Sequence, residues 1–325
     1  MFLNQFLRFE PILKEKIWGG EKLVQLLHKK SEKKNIGESW EISDVEEDTS
    51  IVINGNLKGR SLKSLMNEFN SQLIGKENYK NFGEKFPLLI KFIDAKEKLS
   101  IQLHPNDELA KKRHNSFGKT EMWYVMQADK NANLIVGFQK DVTQKEYLNH
   151  LKNKTLTDIL NIDKVNKGDV YFIPAGRVHT IGAGVMLAEI QQTSDITYRV
   201  YDWDRPNEDG TYRELHIEEA LDAIDYKALN EYKTKYKLKE NHSSKVVSCP
   251  YFTTNILPIK GEVSVDHSHI DSFVIYMSVE GSAEFIYNNE SENLQIGETI
   301  LVPACIKNFT IKSTTNSKLL EVYIN

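Results

Sequence analysis

The stretch GDVYFIPAGRVHTIGAGVMLAEIQQTSDITYR, residues 168–199, decides the fold. Its apolar run over residues 170–173, bounded by Gly-Asp before and Pro-Ala-Gly after, predicts a strand buried on both faces. After the turn, a second strand is expected to begin at His179, and two apolar runs split by Gly182 and Gly184 predict a hairpin. Small β-barrels present metal ligands on such hairpins, so the imidazole is a candidate ligand.

A second group of polar side chains lies upstream. Residues 100–105 read SIQLHP, so Gln102 and His104 stand two positions apart and would share one face of a strand. Glu121 opens the next apolar run, in KTEMWYVMQAD. Together with His179 these residues offer nitrogen and oxygen ligands without sulfur. That set suits zinc, iron(II), manganese or nickel and disfavours a structural zinc site, so the sequence predicts a metal site.

The spacing of the central stretch also indicates a fold. The pattern G-x5-P-x-G-x2-H, from Gly168 to His179, resembles the second signature of the cupin barrel. We therefore expect a mainly β protein built from cupin-type jelly-roll barrels with short helical insertions.

Composition narrows the class of protein. Hydrophobic residues make up 40% and charged residues 27% of the chain, as in ordinary soluble proteins, and the net charge of -4 gives no footprint for nucleic acid or an anionic membrane. No apolar run approaches the ~20 residues of a membrane helix, and the N-terminal residues lack the pattern of a signal peptide. Two cysteines, Cys249 and Cys305, are expected to be free thiols in a reducing compartment, so we expect a cytoplasmic protein.

The 325 residues predict two domains, at about 150 residues each. We expect a catalytic cupin domain over residues 1–240 and a C-terminal β-domain over residues 246–325. Apolar residues at helical spacing predict insertions in the first domain, near residues 61–86, 139–166 and 217–229. A polar loop is expected over residues 107–120, a further loop around Trp18, and a linker over residues 230–245.

The C-terminal domain repeats part of the pattern G-x5-P-x-G-x2-H, from Gly297 onward. Cys305 replaces the glycine of the pattern, and Asn308 stands in the place of the histidine. His267 and His269 have the i, i+2 spacing of ligands, but Val274 falls where a carboxylate should follow. We interpret this domain as a degenerate cupin with a structural role and the histidine pair as a surface feature.

Several separate motifs, in order, cover nearly the whole chain and resemble the short bacterial form of type I mannose-6-phosphate isomerase. They are FEPILKEKIWGG, GESWEISD, PLLIKFIDAKEKLSIQLHP, KTEMWYV, GDVYFIPAGRVHTIGAG and EIQQTSDITYRVYDWDR. The resemblance implies an aldose-ketose isomerase that converts mannose 6-phosphate to fructose 6-phosphate and back, so the partner is a phosphorylated hexose. It also implies one Zn²⁺ per chain, with these ligands: Gln102, His104, Glu121 and His179.

The same resemblance assigns residues to the pocket. Arg199 matches the family's active-site arginine, and Lys119 matches a lysine proposed to take part in proton transfer, for which a carboxylate such as Glu189 is the rival. Other positions that line the family's pocket correspond here to Trp18, Glu38, Lys91 and Glu189. Long family members have a larger helical domain than this chain, which leaves the phosphate-binding residues open.

Alternatives remain at this point. Without the resemblance, Arg199 would be interpreted as the partner of Asp195 or Asp202 in a structural ion pair. Two histidines and a carboxylate also describe the non-haem iron site of a cupin oxygenase. A non-catalytic sugar-binding protein with two cupins, or an enzyme acting on another phosphosugar, fits the same residues. The oligomeric state stays open between monomer and homodimer.

Overall fold

A computed structural model describes residues 3–207 and 209–324 of the chain. The strands are β1 Ile12–Gly20, β2 Ile36–Ile42, β3 Asp44–Val45, β4 Asp48–Thr49, β5 Leu88–Ala95, β6 Ile101–Leu103, β7 Glu121–Ala128, β8 Asn133–Phe138, β9 Leu160–Lys164, β10 Val170–Ile173, β11 His179–Ile181, β12 Val185–Gln192, β13 Tyr198–Tyr201, β14 Ser244–Ser248, β15 Thr253–Asp266, β16 Val274–Glu280, β17 Ala283–Tyr287, β18 Glu290–Leu294, β19 Thr299–Val302 and β20 Asn308–Tyr323. The helices are α1 Lys22–Gln25, α2 Leu62–Phe69, α3 Ser71–Ile74, α4 Lys76–Phe82, α5 Asp107–His114, α6 Gln144–Lys152 and α7 Ile217–Leu221, with 3₁₀ turns at Gly55–Leu57 and Leu156–Ile159.

Two antiparallel sheets form the first half of the molecule. One has the strand order β1-β2-β5-β12-β7-β10 and the other β13-β6-β11-β8-β9. One hydrophobic cluster joins them, with Trp123 and Leu187 from the first sheet and Leu134 and Ile181 from the second. The predicted mainly β, cupin-type fold is confirmed. Both sheets are open, since no strand pairing in the described residues closes them into one continuous barrel.

The predicted hairpin after His179 is wrong in its pairing. β11 pairs with β6 and β8 in the smaller sheet, whereas β12 pairs with β5 and β7 in the larger one. The glycine-rich turn between them therefore carries the chain from one sheet to the other. Gly184 has a φ of +82° and Gly182 lies against the carbonyl of Asn133, so a side chain would be strained at one position and would collide at the other.

The C-terminal residues form a third sheet of seven strands, with β14-β15-β20-β16-β19 in order and β17-β18 paired onto β20. Its inner face has a core of its own, which includes Tyr276, Phe285 and Ile311. The N-terminal segment joins this half, because Leu7 bridges to Leu301 and Phe6 packs in the same core.

A further hydrophobic cluster connects the two halves. It combines Phe92 and Met122 from the first sheet, Met66 from α2, and Ile275 and Leu320 from the third sheet. The third sheet and the helices α2 and α3 therefore cover the face of the larger sheet that points away from the smaller one.

Helices and irregular segments differ in part from the expectations. Helices α2, α3 and α4 lie within residues 61–86; residues 139–166 hold α6 but end in strand β9, and the third predicted helical segment holds only α7. The loop expected after residue 106 contains helix α5, whose N-cap Asn106 accepts a hydrogen bond from the Leu109 amide at 2.9 Å. Trp18 lies in strand β1 rather than in a loop.

The segment expected to be a linker, residues 230–245, is fastened to the first half by two tyrosines. The Tyr232 hydroxyl donates to the Phe138 carbonyl at 2.8 Å, and the Tyr236 hydroxyl donates to the Gly168 carbonyl at 2.6 Å.

No helix within residues 3–207 and 209–324 has the length and apolarity required to cross a membrane.

Candidate functional site

Three of the four predicted metal ligands meet between the two sheets of the first half. Glu121 is the first residue of β7, His179 the first of β11, and His104 directly follows β6. One potential ligand atom from each lies within 4.8 Å of the others, and among the described residues this is the one such group of histidine, cysteine or acidic side chains. All three side chains are buried, with at most 1% of each residue exposed.

The hydrogen bonds of these side chains leave their candidate ligand atoms available to bind a metal ion. Nδ1 of His104 bonds to the Ile196 carbonyl and Nδ1 of His179 to the Arg177 carbonyl, each at 2.8 Å. Such bonds fix the neutral imidazole with Nε2 as the lone-pair atom. Both Nε2 atoms and both carboxylate oxygens of Glu121 are buried without hydrogen-bond partners. Buried polar atoms are rarely left unpaired, and a bound cation would supply the missing interaction.

Burial also sets the electrostatics of these three groups. It lowers the pKa of His179 to about 4 and holds the pKa of His104 well below its ordinary value. Burial, followed by the neighbouring charge of Glu189, raises the pKa of Glu121 to about 7. The two imidazoles are neutral, and the positive charge around Glu121 does not offset its burial. The three side chains therefore form a donor set that favours a divalent cation.

Gln102, the fourth predicted ligand, lies beside this group. It pairs in register with His179 across β6 and β11, and its side chain lines the adjoining cavity. Its Oε1 accepts a hydrogen bond from the Ser100 hydroxyl at 3.1 Å. Its role as a ligand stays a prediction.

A cavity of about 280 Å³ lies beside these three residues, and one of them, His179, lines it. Its walls come from both sheets and from the segment around β13. The described residues that line it are Lys16, Trp18, Glu38, Lys91, Ile93, Leu99, Ser100, Gln102, Lys119, Trp123, His179, Ile181, Glu189, Asp195, Thr197, Arg199 and Arg213. All the residues predicted for catalysis or substrate binding are therefore in one place.

Acidic and basic side chains alternate across the larger sheet at the base of this cavity. Lys91 Nζ lies 3.7 Å from Glu38 Oε2 and 3.4 Å from Glu189 Oε1, and Lys16 Nζ lies 3.2 Å from Glu38 Oε1. Burial alone would raise the pKa of Glu38, but Lys91 and Lys16 lower it to about 2. The pKa of Glu189 is also lowered, because Lys119 and Lys91 outweigh its burial.

Lys119 joins this set to the metal ligands. Its Nζ lies 3.1 Å from Glu121 Oε2 and 3.8 Å from Glu189 Oε1, and the residue is 4% exposed. The lysine and Glu189, the two rivals for proton transfer, are therefore neighbours at the cavity surface.

Arg199 does not form the ion pair considered from sequence. Within the described residues neither Asp195 nor Asp202 lies within salt-bridge distance of it, and its Nη1 donates to the Glu214 carbonyl at 2.8 Å. Asp202 instead binds Arg213, whose Nε donates to it at 2.7 Å. Burial, and then the charge of Arg213, lowers the pKa of Arg199, and both arginines line the cavity.

Sequence reasoning missed three charged residues of this cavity: Lys16, Asp195 and Arg213. Lys16 precedes Trp18 by two positions, which places it on the same face of β1, but the prediction of a loop for this segment hides the signal. Arg213 lies in the charged loop after β13, where no periodicity marks which cations point inward.

In the C-terminal half, His267 is not a surface feature. It is 4% exposed, its ring stacks on Tyr276, and its Nε2 lies 3.1 Å from the hydroxyl of that tyrosine. The tyrosine donates to Glu321 at 2.7 Å, and Asn255 donates to the same carboxylate at 3.0 Å. These side chains form a hydrogen-bond network that lines a cavity in the C-terminal half.

Comparison with known proteins gives consistent matches. A family model described as the phosphomannose isomerase type I catalytic domain matches residues 6–134, and one described as the mannose-6-phosphate isomerase cupin domain matches residues 242–323. The mannose-6-phosphate isomerase ManA of Bacillus subtilis is 32% identical over 307 residues, which are 94% of this chain and 95% of that protein. The mannose-6-phosphate isomerase of Streptococcus mutans is 33% identical over 296 residues, 91% of each chain.

Solved structures agree with these matches. The crystal structure of the Bacillus subtilis mannose 6-phosphate isomerase is similar with a TM-score of 0.89 at 32% identity, over 98% of this chain and 99% of that chain. A mutant of phosphomannose isomerase from Salmonella typhimurium has the same fold with a TM-score of 0.78 at 16% identity, over 98% of this chain and 99% of that chain.

Proposed function

This chain belongs to the type I phosphomannose isomerase family, and we propose that it interconverts D-mannose 6-phosphate and D-fructose 6-phosphate through a cis-enediol, with zinc as its cofactor. The observation that carries the proposal is the group of buried ligand atoms of His104, Glu121 and His179, which form no hydrogen bonds in the described residues and lie beside a cavity rich in basic side chains.

Zinc suits the donor set of two imidazoles and one carboxylate, and the Gln102 amide lines the cavity beside them. A bound zinc ion would supply Lewis-acid stabilisation of the negative charge that develops on O1 or O2 of the sugar. The backbone carbonyls that hold both Nδ1 atoms would keep the ring orientation fixed during this chemistry.

The charge of the cavity suits a phosphorylated sugar. Five basic side chains line it, against three acidic ones: Lys16, Lys91, Lys119, Arg199 and Arg213, against Glu38, Glu189 and Asp195. Arginines bind phosphate through bidentate hydrogen bonds, so the neighbouring Arg199 and Arg213 would hold the phosphate group.

Two residues can carry the proton between C1 and C2. Glu189 has an ionised carboxylate, and its Oε1 is buried without a hydrogen-bond partner in the described residues. Lys119 is the second candidate, through its position beside Glu121 and Glu189. Replacing each by a neutral side chain and measuring exchange of the C2 proton with solvent separates them, because loss of exchange identifies the residue that handles the proton.

The deciding experiment is isomerase activity on mannose 6-phosphate, with coupled detection of fructose 6-phosphate, before and after chelation and after zinc is added back. We expect activity to be lost with the metal and restored by one zinc ion per chain. A folded, zinc-loaded protein without turnover would contradict the proposal. Oxygen uptake by the iron-loaded protein would point instead to a cupin oxygenase.

We also propose a cytoplasmic location. Cys249 and Cys305 are both unpaired thiols in the structure, which supports the expectation of a reducing compartment.

A further inference from the structure

Two tryptophans stand at the ends of a row of side chains that crosses the larger sheet. In strand register, Trp40 of β2 opposes Lys91 of β5, Lys91 opposes Glu189 of β12, and Glu189 opposes Trp123 of β7. Directly opposed residues of neighbouring strands project from one face of a sheet. Glu38 precedes Trp40 by two positions on β2 and shares that face, which is the base of the cavity.

Each tryptophan donates its indole N–H to one of the two cavity carboxylates. Trp40 Nε1 donates to Glu38 Oε2 at 2.6 Å, and Trp123 Nε1 donates to Glu189 Oε2 at 2.9 Å. Both indoles are buried, with at most 2% of either residue exposed. In both pairs the bond engages Oε2, so the indole occupies one oxygen and leaves Oε1 for other contacts.

The two Oε1 atoms face the charged groups of the cavity. Glu38 Oε1 lies 3.2 Å from Lys16 Nζ. Glu189 Oε1 accepts no hydrogen bond in the described structure, although Lys91 lies 3.4 Å and Lys119 3.8 Å away. A buried carboxylate oxygen without a bond is able to accept one from a substrate hydroxyl.

We propose that Trp40 and Trp123 are positioning residues of the isomerase, each holding one cavity carboxylate through its indole N–H so that Oε1 meets the sugar. This proposal rests on the proposed function. An indole has one donor and no acceptor, so it favours a carboxylate oxygen and holds it in a single orientation. Trp40 also fixes the lysine between the two carboxylates, because Lys91 Nζ lies 4.9 Å from the centre of its ring.

Packing is the competing explanation, since Trp123 belongs to the core between the sheets and meets the His179 ring edge-on, with ring centroids 5.3 Å apart. The substitution of tryptophan by phenylalanine separates the two roles. Phenylalanine keeps most of the apolar area and loses the donor. Trp203 supplies a matched control, because its indole donates to the Leu99 carbonyl at 2.6 Å and to no carboxylate.

The first test measures the bonds themselves by NMR of the ¹⁵N-labelled full-length protein. The chain has four tryptophans, so the indole region holds four signals, which Trp→Phe variants assign. We expect Glu38→Gln to move the signal of Trp40 and Glu189→Gln to move that of Trp123, with the signal of Trp203 unchanged. If neither glutamine variant moves its partner's indole signal, the positioning bonds do not exist and the proposal falls.

The second test measures kinetics with mannose 6-phosphate. We expect Trp123→Phe to lower kcat about tenfold to hundredfold with little change in KM, because a hydrogen bond to an ionised group at the reacting end is lost. Trp40→Phe should instead raise KM, since Glu38 is proposed to bind substrate. Trp203→Phe should keep both constants near those of the wild-type enzyme.

Folded variants that keep the wild-type kcat and KM would overturn the proposal and leave packing as the role of both tryptophans. Failure of the proposed function is distinguishable, because it would remove turnover from the wild-type enzyme itself. The indole signals would still report whether the carboxylates are held as described.

Discussion

At the scale of single residues, the candidate metal ligands are able to bind a cation because they are buried and their ligand atoms accept no hydrogen bonds in the described residues. Asp202 illustrates the reverse case, because it is held by two arginines: Arg213, through Nε at 2.7 Å, and Arg205, through Nη2 at 2.9 Å. Of these two, only Arg213 is among the described residues that line the cavity. The Asp202 carboxylate therefore holds the Arg213 guanidinium at the cavity wall, whereas Arg205 binds the same carboxylate outside the cavity lining.

We predict that Arg213→Gln raises KM for mannose 6-phosphate about tenfold to hundredfold, because a charge-assisted pair with the phosphate is lost. Weaker competitive inhibition by inorganic phosphate should accompany this change. Steady-state kinetics with both compounds provides the measurement.

The control is Arg205→Gln, which removes the same charge from the same carboxylate but lies outside the cavity lining. Equal effects of the two substitutions on KM would show that the phosphate does not bind at Arg213.

At the scale of the element, helix α4 shows how the inserted helices are attached to the rest of the molecule. Its N-terminal amides, of Lys76 and Glu77, donate to the Asp271 carboxylate, which comes from the C-terminal half. Gly75 precedes the helix with a φ of +94°, and a Cβ added there would collide with the Asp271 carbonyl oxygen. The helix is therefore capped across the seam between the two halves, at a point where only glycine fits.

We predict that Gly75→Ala lowers the free energy of unfolding by about 2–4 kcal/mol, through the strained φ and the collision with Asp271. Gly83, at the other end of the same helix, gives the control: its φ is +59°, but a Cβ added there would meet nothing within 4 Å. Gly83→Ala should cost only the backbone strain, about 1–3 kcal/mol, and therefore less than Gly75→Ala, which adds the collision.

Urea denaturation of both variants checks this prediction. Equal losses of unfolding free energy in the two variants would mean that the backbone around Asp271 shifts to accommodate the added methyl group, so the predicted collision does not lower stability.

For the whole molecule, each half has a carboxylate that is buried yet lines a cavity: Glu38 in the first half and Glu321 in the C-terminal half. The pKa of Glu38 is about 2, because the charges of Lys91 and Lys16 outweigh the effect of its burial. The pKa of Glu321 is also about 2, because hydrogen bonds outweigh the effect of its burial; they come from His267, Ser243, Tyr276 and Asn255. The first carboxylate lines the cavity beside the candidate metal site, and the second belongs to a hydrogen-bond network that lines a separate cavity.

Both carboxylates make stability depend on pH in the acid range. Because their folded pKa lies below the ordinary value of 4.5, each contributes stability that is present above about pH 4.5 and lost as the pH falls towards 2. A fall of this size corresponds to about 3 kcal/mol for each group. We predict that Glu321→Gln is less stable than the wild-type protein at pH 7 and loses less stability between pH 5 and pH 2.5.

Unfolding free energies measured across that pH range decide the point. A Glu321→Gln variant whose stability falls with pH as steeply as that of the wild-type protein would show that the network does not stabilise the ionised Glu321 carboxylate.

The sequence by itself determined the mainly β fold, and it identified most of the side chains that the structure brings together at the cavity and the candidate metal site. It could do so because strand periodicity and turn residues are local, and because Gln102 and His104 lie two positions apart, within and directly after one short strand. The strand over residues 170–173 and the start of the next at His179 lie where the sequence places them.

Only the tertiary structure decided which strands pair and which charges meet. The turn after β11 looks like a hairpin because its glycines permit one, yet the chain crosses between sheets, and that choice depends on strands distant in sequence. Likewise, Trp40, Lys91, Glu189 and Trp123 become one row only through registers set across four strands. Local sequence carries periodicity and turn chemistry, whereas burial, unpaired atoms and pKa values arise from contacts between distant residues, so they appear only once the sheets have packed.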